Sequence, residues 1–187
     1  MQRYEYPVHK GYVTDKCVLD VGCGVTVEPL ILSTVAKRIY AVDFTHIPDD
    51  VHVIIPESAN MDRVVKVVGD VYDFTTQCDI AVAIEVFEHM KSPKKFIKHL
   101  ASLCKGLFIT TPLVKKTGKT RNFEHIKEYS NKDFRALVET QFDIINQKFQ
   151  HGDLRITDEA EANGDSFNVG HVVQMLWCKR RNRQGGE

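Results

Sequence analysis

The chain has 187 residues, the length of one ordinary domain, and 43% of them are hydrophobic, enough to bury a core without disulfides. Lys+Arg and Asp+Glu both number 25, so no global charge draws the chain toward nucleic acid or a membrane surface. No apolar run of about 18 residues and no signal peptide is visible, which sets the expectation of a cytoplasmic protein without membrane contact. The five cysteines (Cys17, Cys23, Cys78, Cys104 and Cys178) form no CxxC pair. They read as reduced thiols, not as a disulfide framework or a zinc site.

No repeat, low-complexity tract or linker divides the sequence, so residues 1–187 are read as a single domain. The aromatics of Tyr4 to Tyr12 need cover, and this segment is expected to fold over a ligand pocket. Cys17 to Val21 is a short apolar run closed by glycines, the mark of a buried strand. From Val27 to about Val35 apolar residues recur at helical spacing, with Thr26 available as the N-cap. Arg38 to Val42, Val64 to Val68 and Ile80 to Ile84 read as three further strands, ending at Asp43, Gly69-Asp70 and Glu85. Lys94 to Cys104 is an amphipathic helix, with Phe96, Ile97, Leu100 and Leu103 on one face. Leu107 to Thr110 is a fifth strand, stopped by Thr111-Pro112. Ser130 and Asp133 open another helix in the manner of a capping box. Phe142 to Phe149 and Val172 to Lys179 alternate like two strands across a polar stretch, Asp158 to Asp165 being its acidic part. The run Lys179-Arg180-Arg181-Asn182-Arg183 reads as a solubilising end.

Strands alternating with helices argue for a mostly parallel sheet, and the last two strands, lacking an intervening helix, for an antiparallel pair. The expected fold is therefore an α/β, Rossmann-like sheet of about seven strands. In such sheets ligands bind at the carboxyl ends of the strands, where the strand order reverses. Those ends carry Asp20, Gly22, Cys23 and Gly24 after strand one, Asp43 with Phe44 after strand two, Asp70 and Val71 after strand three, and Glu85 after strand four. Glycines there let the backbone approach a ligand. An acid at the end of strand two can accept from two vicinal hydroxyls, and Asp70 from an amino group on a ring that Val71 covers. Asp20 can order the loop.

These residues resemble the class I S-adenosylmethionine-dependent methyltransferases. The matching pieces are Leu19-Asp20-Val21-Gly22-Cys23-Gly24, Asp43, Gly69-Asp70 and Glu85-Val86-Phe87-Glu88-His89, and the resemblance spans Val18 to Phe149. It implies S-adenosyl-L-methionine as cofactor, with Asp43 on the ribose, Asp70 and Val71 on the adenine, and Asp20 near the methionine amino group. The family usually has a third glycine where this chain has Thr26. A dinucleotide fold would want a glycine at Val27, and Glu28 in the first helical turn is a poor neighbour for pyrophosphate. It suits a cofactor that is cationic at sulfur.

Methyl transfer from a sulfonium needs mainly alignment, plus a base if the acceptor is a hydroxyl. The candidates for that chemistry are Glu85, His89 and His125. No Asn-Pro-Pro-Tyr follows strand four, which disfavours amino-methylation of bases, and no Pro-Cys marks RNA pyrimidine methylation. Glu85, Glu88 and His89 stand at i, i+3 and i+4, one face of a helix. With His125 they form an oxygen/nitrogen set suited to a divalent metal. That set resembles the small-RNA 3′-terminal 2′-O-methyltransferases, although Leu113 stands where those enzymes have Asn and the interval to His125 is short. A metal is the less favoured reading, because Glu-His after strand four also occurs in small-molecule methyltransferases that bind none. Lys115 to Arg121 carries four positive charges, suited to a phosphate or to a solvated lid. The leading expectation is methylation of an oxygen on a small or sugar-like acceptor. The alternatives are the 2′-hydroxyl of an RNA end, and a silent cofactor-binding module that serves a partner subunit.

Overall fold

Val18, Leu19, Asp20 and Val21 pair in parallel with β2 on one side and β4 on the other, which puts the first strand in the middle of the sheet. The computed structural model describes residues 3–24, 28–44, 57–118, 122–152, 154–158 and 172–181. Among them, eight strands form one sheet: β1 (Cys17–Val21), β2 (Arg38–Asp43), β3 (Val64–Val68), β4 (Cys78–Ala83), β5 (Cys104–Pro112), β6 (Phe142–Gln150), β7 (Ile156–Thr157) and β8 (Val173–Arg180). Their order is β3-β2-β1-β4-β5-β8-β6-β7. The first five are parallel, and β8 runs antiparallel between β5 and β6.

The central strands β1, β4 and β5 are buried on both faces, so their sequences read as nearly continuous apolar runs. Alternate residues serve two cores. Leu19, Ala81, Leu107 and Ile109 face the helices α3 (Pro93–Leu103) and α4 (Asn131–Val138), meeting Phe96, Ile97, Leu100 and Phe134. Val18, Ile80, Val82 and Phe108 face α1 (Glu5–His9) and α2 (Glu28–Ser33), meeting Tyr6 and Leu32. α4 starts as its sequence requires: Ser130 Oγ accepts from Asp133 N at 3.3 Å and donates to Asp133 Oδ2 at 2.8 Å. No helix among the described residues is long and apolar enough to cross a membrane.

Three readings change. The sheet has one strand more than expected, because Ile156 and Thr157 pair with Gln150 and Phe149 inside the stretch read as polar. The basic run is not a loose end: Lys179 and Arg180 belong to β8, and Arg180 Nη1 donates to the Ala101 carbonyl at 3.1 Å. The aromatics of the N-terminal segment cover the sheet face instead of the ligand pocket. Tyr6 stacks on Phe108 and Tyr12 on Trp177, while Tyr4 alone reaches a strand end. The Thr26 cap, Asp165, and the side chains of Lys119 and Arg121 lie outside the described residues.

Candidate active site

The order of the sheet reverses between β1 and β4, and a cavity of about 530 Å³ opens at their carboxyl ends. Gly22 and Gly24 turn the chain with φ of +65° and +62°, values that L side chains adopt only under strain. A Cβ on Gly22 would come 2.5 Å from Val86 Cγ2, so this turn is fitted against the segment after β4. Gly24 N donates to Asp43 Oδ2 at 2.9 Å, which ties the glycine turn to the end of β2. Asp20 is fully buried and accepts from Tyr4 Oη at 3.2 Å.

Of the expected cofactor residues, Gly22, Asp43, Phe44, Val71 and Glu85 line this cavity, and His89 joins them. Asp20, Cys23, Gly24 and Asp70 do not line it. Cys23 is buried, and Asp70 caps a short turn, with Oδ1 accepting from Tyr72 N at 2.9 Å. Among the described residues the lining contains two carboxylates and no lysine or arginine. That balance suits a sulfonium cofactor without phosphate and opposes a dinucleotide.

Glu85, Glu88 and His89 do not share a helical face. Glu85 takes φ of +55°, a strained conformation for a residue with a side chain. Thr110 Oγ1 holds it there, accepting from Glu85 N at 3.1 Å and donating to Oε1 at 3.0 Å, while Arg3 Nη1 lies 3.3 Å from Oε2. The chain then makes a single 3₁₀ turn at Phe87–His89. This turn sends Glu88 inward, where Thr111 Oγ1 donates to Oε2 at 3.0 Å. Glu88 Oε1 is buried, accepts no hydrogen bond among the described residues, and lies 4.0 Å from His125 Nε2. Burial first, and then the charge of Glu85, push the Glu88 carboxyl up to about 8, so it is protonated at neutral pH.

His125 enters from a loop fastened to the same turn: Ile126 N and Lys127 N both donate to the Glu88 carbonyl, at 2.9 and 3.1 Å. Its Nδ1 lies 2.7 Å from Glu128 Oε1 and its Nε2 3.0 Å from Asn122 Nδ2. A carboxylate can only accept, so Nδ1 carries the proton and Nε2 accepts from the Asn122 amide. His89 Nδ1 donates in the same way to the Glu124 carbonyl at 2.9 Å, which leaves its Nε2 as the acceptor. The two rings stand 5.0 Å apart, edge to face. One ligand atom from each of Glu88, His89 and His125 falls within 4.8 Å of the others, a set able to take a divalent ion, and Glu85 is not part of it. The described part of the basic segment runs beside this group, with Gly118 exchanging two 3.1 Å backbone bonds with Glu128. Sequence reasoning missed Arg3, Asn122 and Glu128. Glu128 carries a local signal, an acid three positions after a histidine, whereas Arg3 reaches Glu85 only through the folded N-terminus.

Comparison with known proteins agrees with this geometry. A family described as "Methyltransferase domain" matches residues 12–155. No curated protein matches the sequence. Among solved structures, the chain is similar to the 1,6-didemethyltoxoflavin-N1-methyltransferase of Burkholderia thailandensis, crystallised with bound 1,6-didemethyltoxoflavin and S-adenosylhomocysteine. The TM-score is 0.74 at 13% identity, covering 97% of this chain and 78% of that one. It is also similar to the magnesium protoporphyrin IX methyltransferase of Synechocystis PCC 6803 with bound S-adenosylhomocysteine, at TM-score 0.64 and 16% identity, over 95% and 80% of the two chains. A candidate RNA methyltransferase of Pyrococcus horikoshii is comparable, at TM-score 0.64 and 14% identity, over 97% and 81%. Identities this low speak for the fold alone, while the family match spans most of the sequence. The chain therefore belongs to the methyltransferase-domain family and is a class I S-adenosylmethionine-dependent methyltransferase with a Rossmann-like sheet.

Proposed function

We propose that this enzyme methylates an oxygen of a small or sugar-like acceptor, with His125 as the general base. The observation that carries the proposal is the Glu128–His125 pair at 2.7 Å, which fixes the ring in the tautomer whose Nε2 is the basic nitrogen; the acceptor hydroxyl takes the place of the Asn122 amide on it. His89, at the rim of the cavity and 5.0 Å from His125, links that base to the cofactor pocket.

S-adenosylmethionine, when bound, supplies an electrophilic methyl group with a neutral leaving group. The chain's own work is then placement and proton removal. Gly22 and Gly24 admit the methionine end beside Asp20, Cys23 contributes the buried floor of that turn, and Asp43 with Phe44 takes the ribose. Val71 covers the adenine, with Asp70 at its edge, and Glu85 closes the cavity toward the acceptor. Glu128 balances the charge that His125 gains as it deprotonates the acceptor hydroxyl.

A second reading has one observation behind it, the convergence of Glu88, His89 and His125 within 4.8 Å. These residues would then hold a divalent cation, and the acceptor would be the 2′-hydroxyl of an RNA end. The same experiment decides between the two: methyl transfer to a panel of sugars, phenols and RNA 3′ ends, with and without a chelator. We expect chelator-insensitive activity on a small acceptor. His125→Ala should lower turnover by about 10²–10⁴-fold while cofactor affinity stays within about twofold. Chelator-sensitive methylation of RNA would overturn the first reading and establish the second.

A further inference from the structure

At the opposite end of the sheet from the cofactor cavity, a second cavity of about 370 Å³ opens among the amino ends of β1, β4 and β5 and the last residues of β8. Its volume falls within the range of small-molecule sites, about 300–1,000 Å³. A glycine makes it. Gly106 on β5 pairs with Ile80 on β4 and Lys179 on β8, and the three line the hollow. With no side chain on Gly106, the sheet face dips between them, and the Trp177 indole leans into the dip. A Cβ on Gly106 would meet Trp177 Cη2 at 3.0 Å. Tyr12 stacks on the indole at 4.3 Å and 8°, so an aromatic wall is already ordered.

Three lysines line the cavity beside this wall: Lys16 before β1, Lys105 at the start of β5, and Lys179, two residues from Trp177 and therefore on its face. None of the three side chains makes an ion pair among the described residues. Asp143, opposite Lys179 on β6, is taken by Arg181 Nε at 2.6 Å. Asp79, the one carboxylate in the lining among the described residues, accepts from Cys17 N at 2.9 Å. An ordered aromatic surface ringed by three lysines and a single carboxylate recognises a planar ring that carries a phosphate.

We infer that this cavity is a second ligand site, for a nucleoside monophosphate, separate from the methyl-transfer centre. The ligand's base lies against the Trp177–Tyr12 wall, and its phosphate meets Lys105, Lys179 and Lys16. No bond is made or broken there.

Trp177 is the single tryptophan of the chain, so its fluorescence reports on this cavity alone. The test is a titration of the full chain with uridine monophosphate, with the cofactor pocket saturated by S-adenosylhomocysteine. Uridine and inorganic phosphate serve as separate probes. We expect a saturable change with the monophosphate, a curve at least tenfold weaker with uridine, and a loss of at least tenfold in affinity in K105E/K179E. That variant changes two exposed side chains, and its circular dichroism and S-adenosylhomocysteine affinity should match wild type. An unresponsive Trp177 up to millimolar monophosphate, or equal affinity in the lysine variant, would overturn the inference. Neither result bears on the assignment of His125, which is read by methyl transfer.

Discussion

At the scale of single residues, two carboxylates in this protein do opposite things because their surroundings differ. Asp43 stands at the mouth of the cavity, half-exposed, and already accepts the Gly24 amide. Removing it by Asp43→Ala withdraws the proposed ribose contact and loosens the glycine turn. Isothermal titration should show S-adenosylmethionine binding weakened by about 1.5–3 kcal/mol, the scale of a hydrogen bond to a charged group. Unchanged affinity would remove Asp43 from the cofactor site. Glu88, in contrast, is sealed in and protonated, with its carboxyl raised from 4.5 to about 8. The sign follows from proton counting. Between pH 4.5 and 8 the folded chain holds a proton that the unfolded chain has lost, so folding stability falls as pH rises through this window. The loss is about 1.4 kcal/mol per pH unit where the difference is complete, and it levels off above the folded value. Glu88→Gln removes this dependence. With chelator present, its Tm should match wild type near pH 5 and exceed it near pH 8.5. A Tm difference independent of pH would show that Glu88 is ionised in the fold.

Among the elements, the turn after β1 and the segment after β4 behave as one unit. Gly22→Ala imposes a positive φ on a residue with a Cβ, at about 1–2 kcal/mol. It also drives that Cβ onto Val86, an overpacking cost of about 1–3 kcal/mol. Urea unfolding of Gly22→Ala, Val86→Ala and the double variant should reveal favourable coupling in the double, because shortening Val86 removes the clash and leaves only the backbone strain. Simple additivity would mean that the turn relaxes away from Val86. These elements also show what sequence reveals. β1 was legible because an apolar run ends abruptly in Gly22 and Gly24, and α4 because Ser130 and Asp133 sit at capping distance. β5 was read too short at both ends. Cys104 leaves α3 and enters the strand with no loop between, and Thr110, Thr111 and Pro112 look like a stop until β8 pairs with them. The two residues of β7 carry no periodicity at all. At the site, the strand-end residues Gly22, Asp43 and Val71 followed from topology. The geometry of Glu85, Glu88 and His89 did not, because the 3₁₀ turn is imposed by Thr110 and Thr111 from the neighbouring strand. A helical wheel cannot register a constraint that arrives from β5.

On the scale of the whole molecule, the candidate chemistry is concentrated at one end of the sheet, where β1, β2, β3 and β4 release their chains toward the same cavity. The antiparallel strands beyond β5 have another task, since Gln174 on β8 anchors the end of β5 and the segment before α4 by donating to the Pro112 and Tyr129 carbonyls at 3.3 and 2.9 Å. β8 is the last of the described strands to leave the ribosome, yet it lies between two strands made earlier. Synthesis from the amino terminus can assemble β1 to β5 in order, but β6 can pair only with the two residues of β7 until residues 173–180 emerge. Throughout that interval the nascent chain presents the open edge of β5, which includes Phe108 and Ile109, to solvent or to a chaperone. Closing the sheet is therefore a late event among the described strands, and the wall that β8 builds beside Pro112 and Tyr129 forms only once residues 173–180 have emerged.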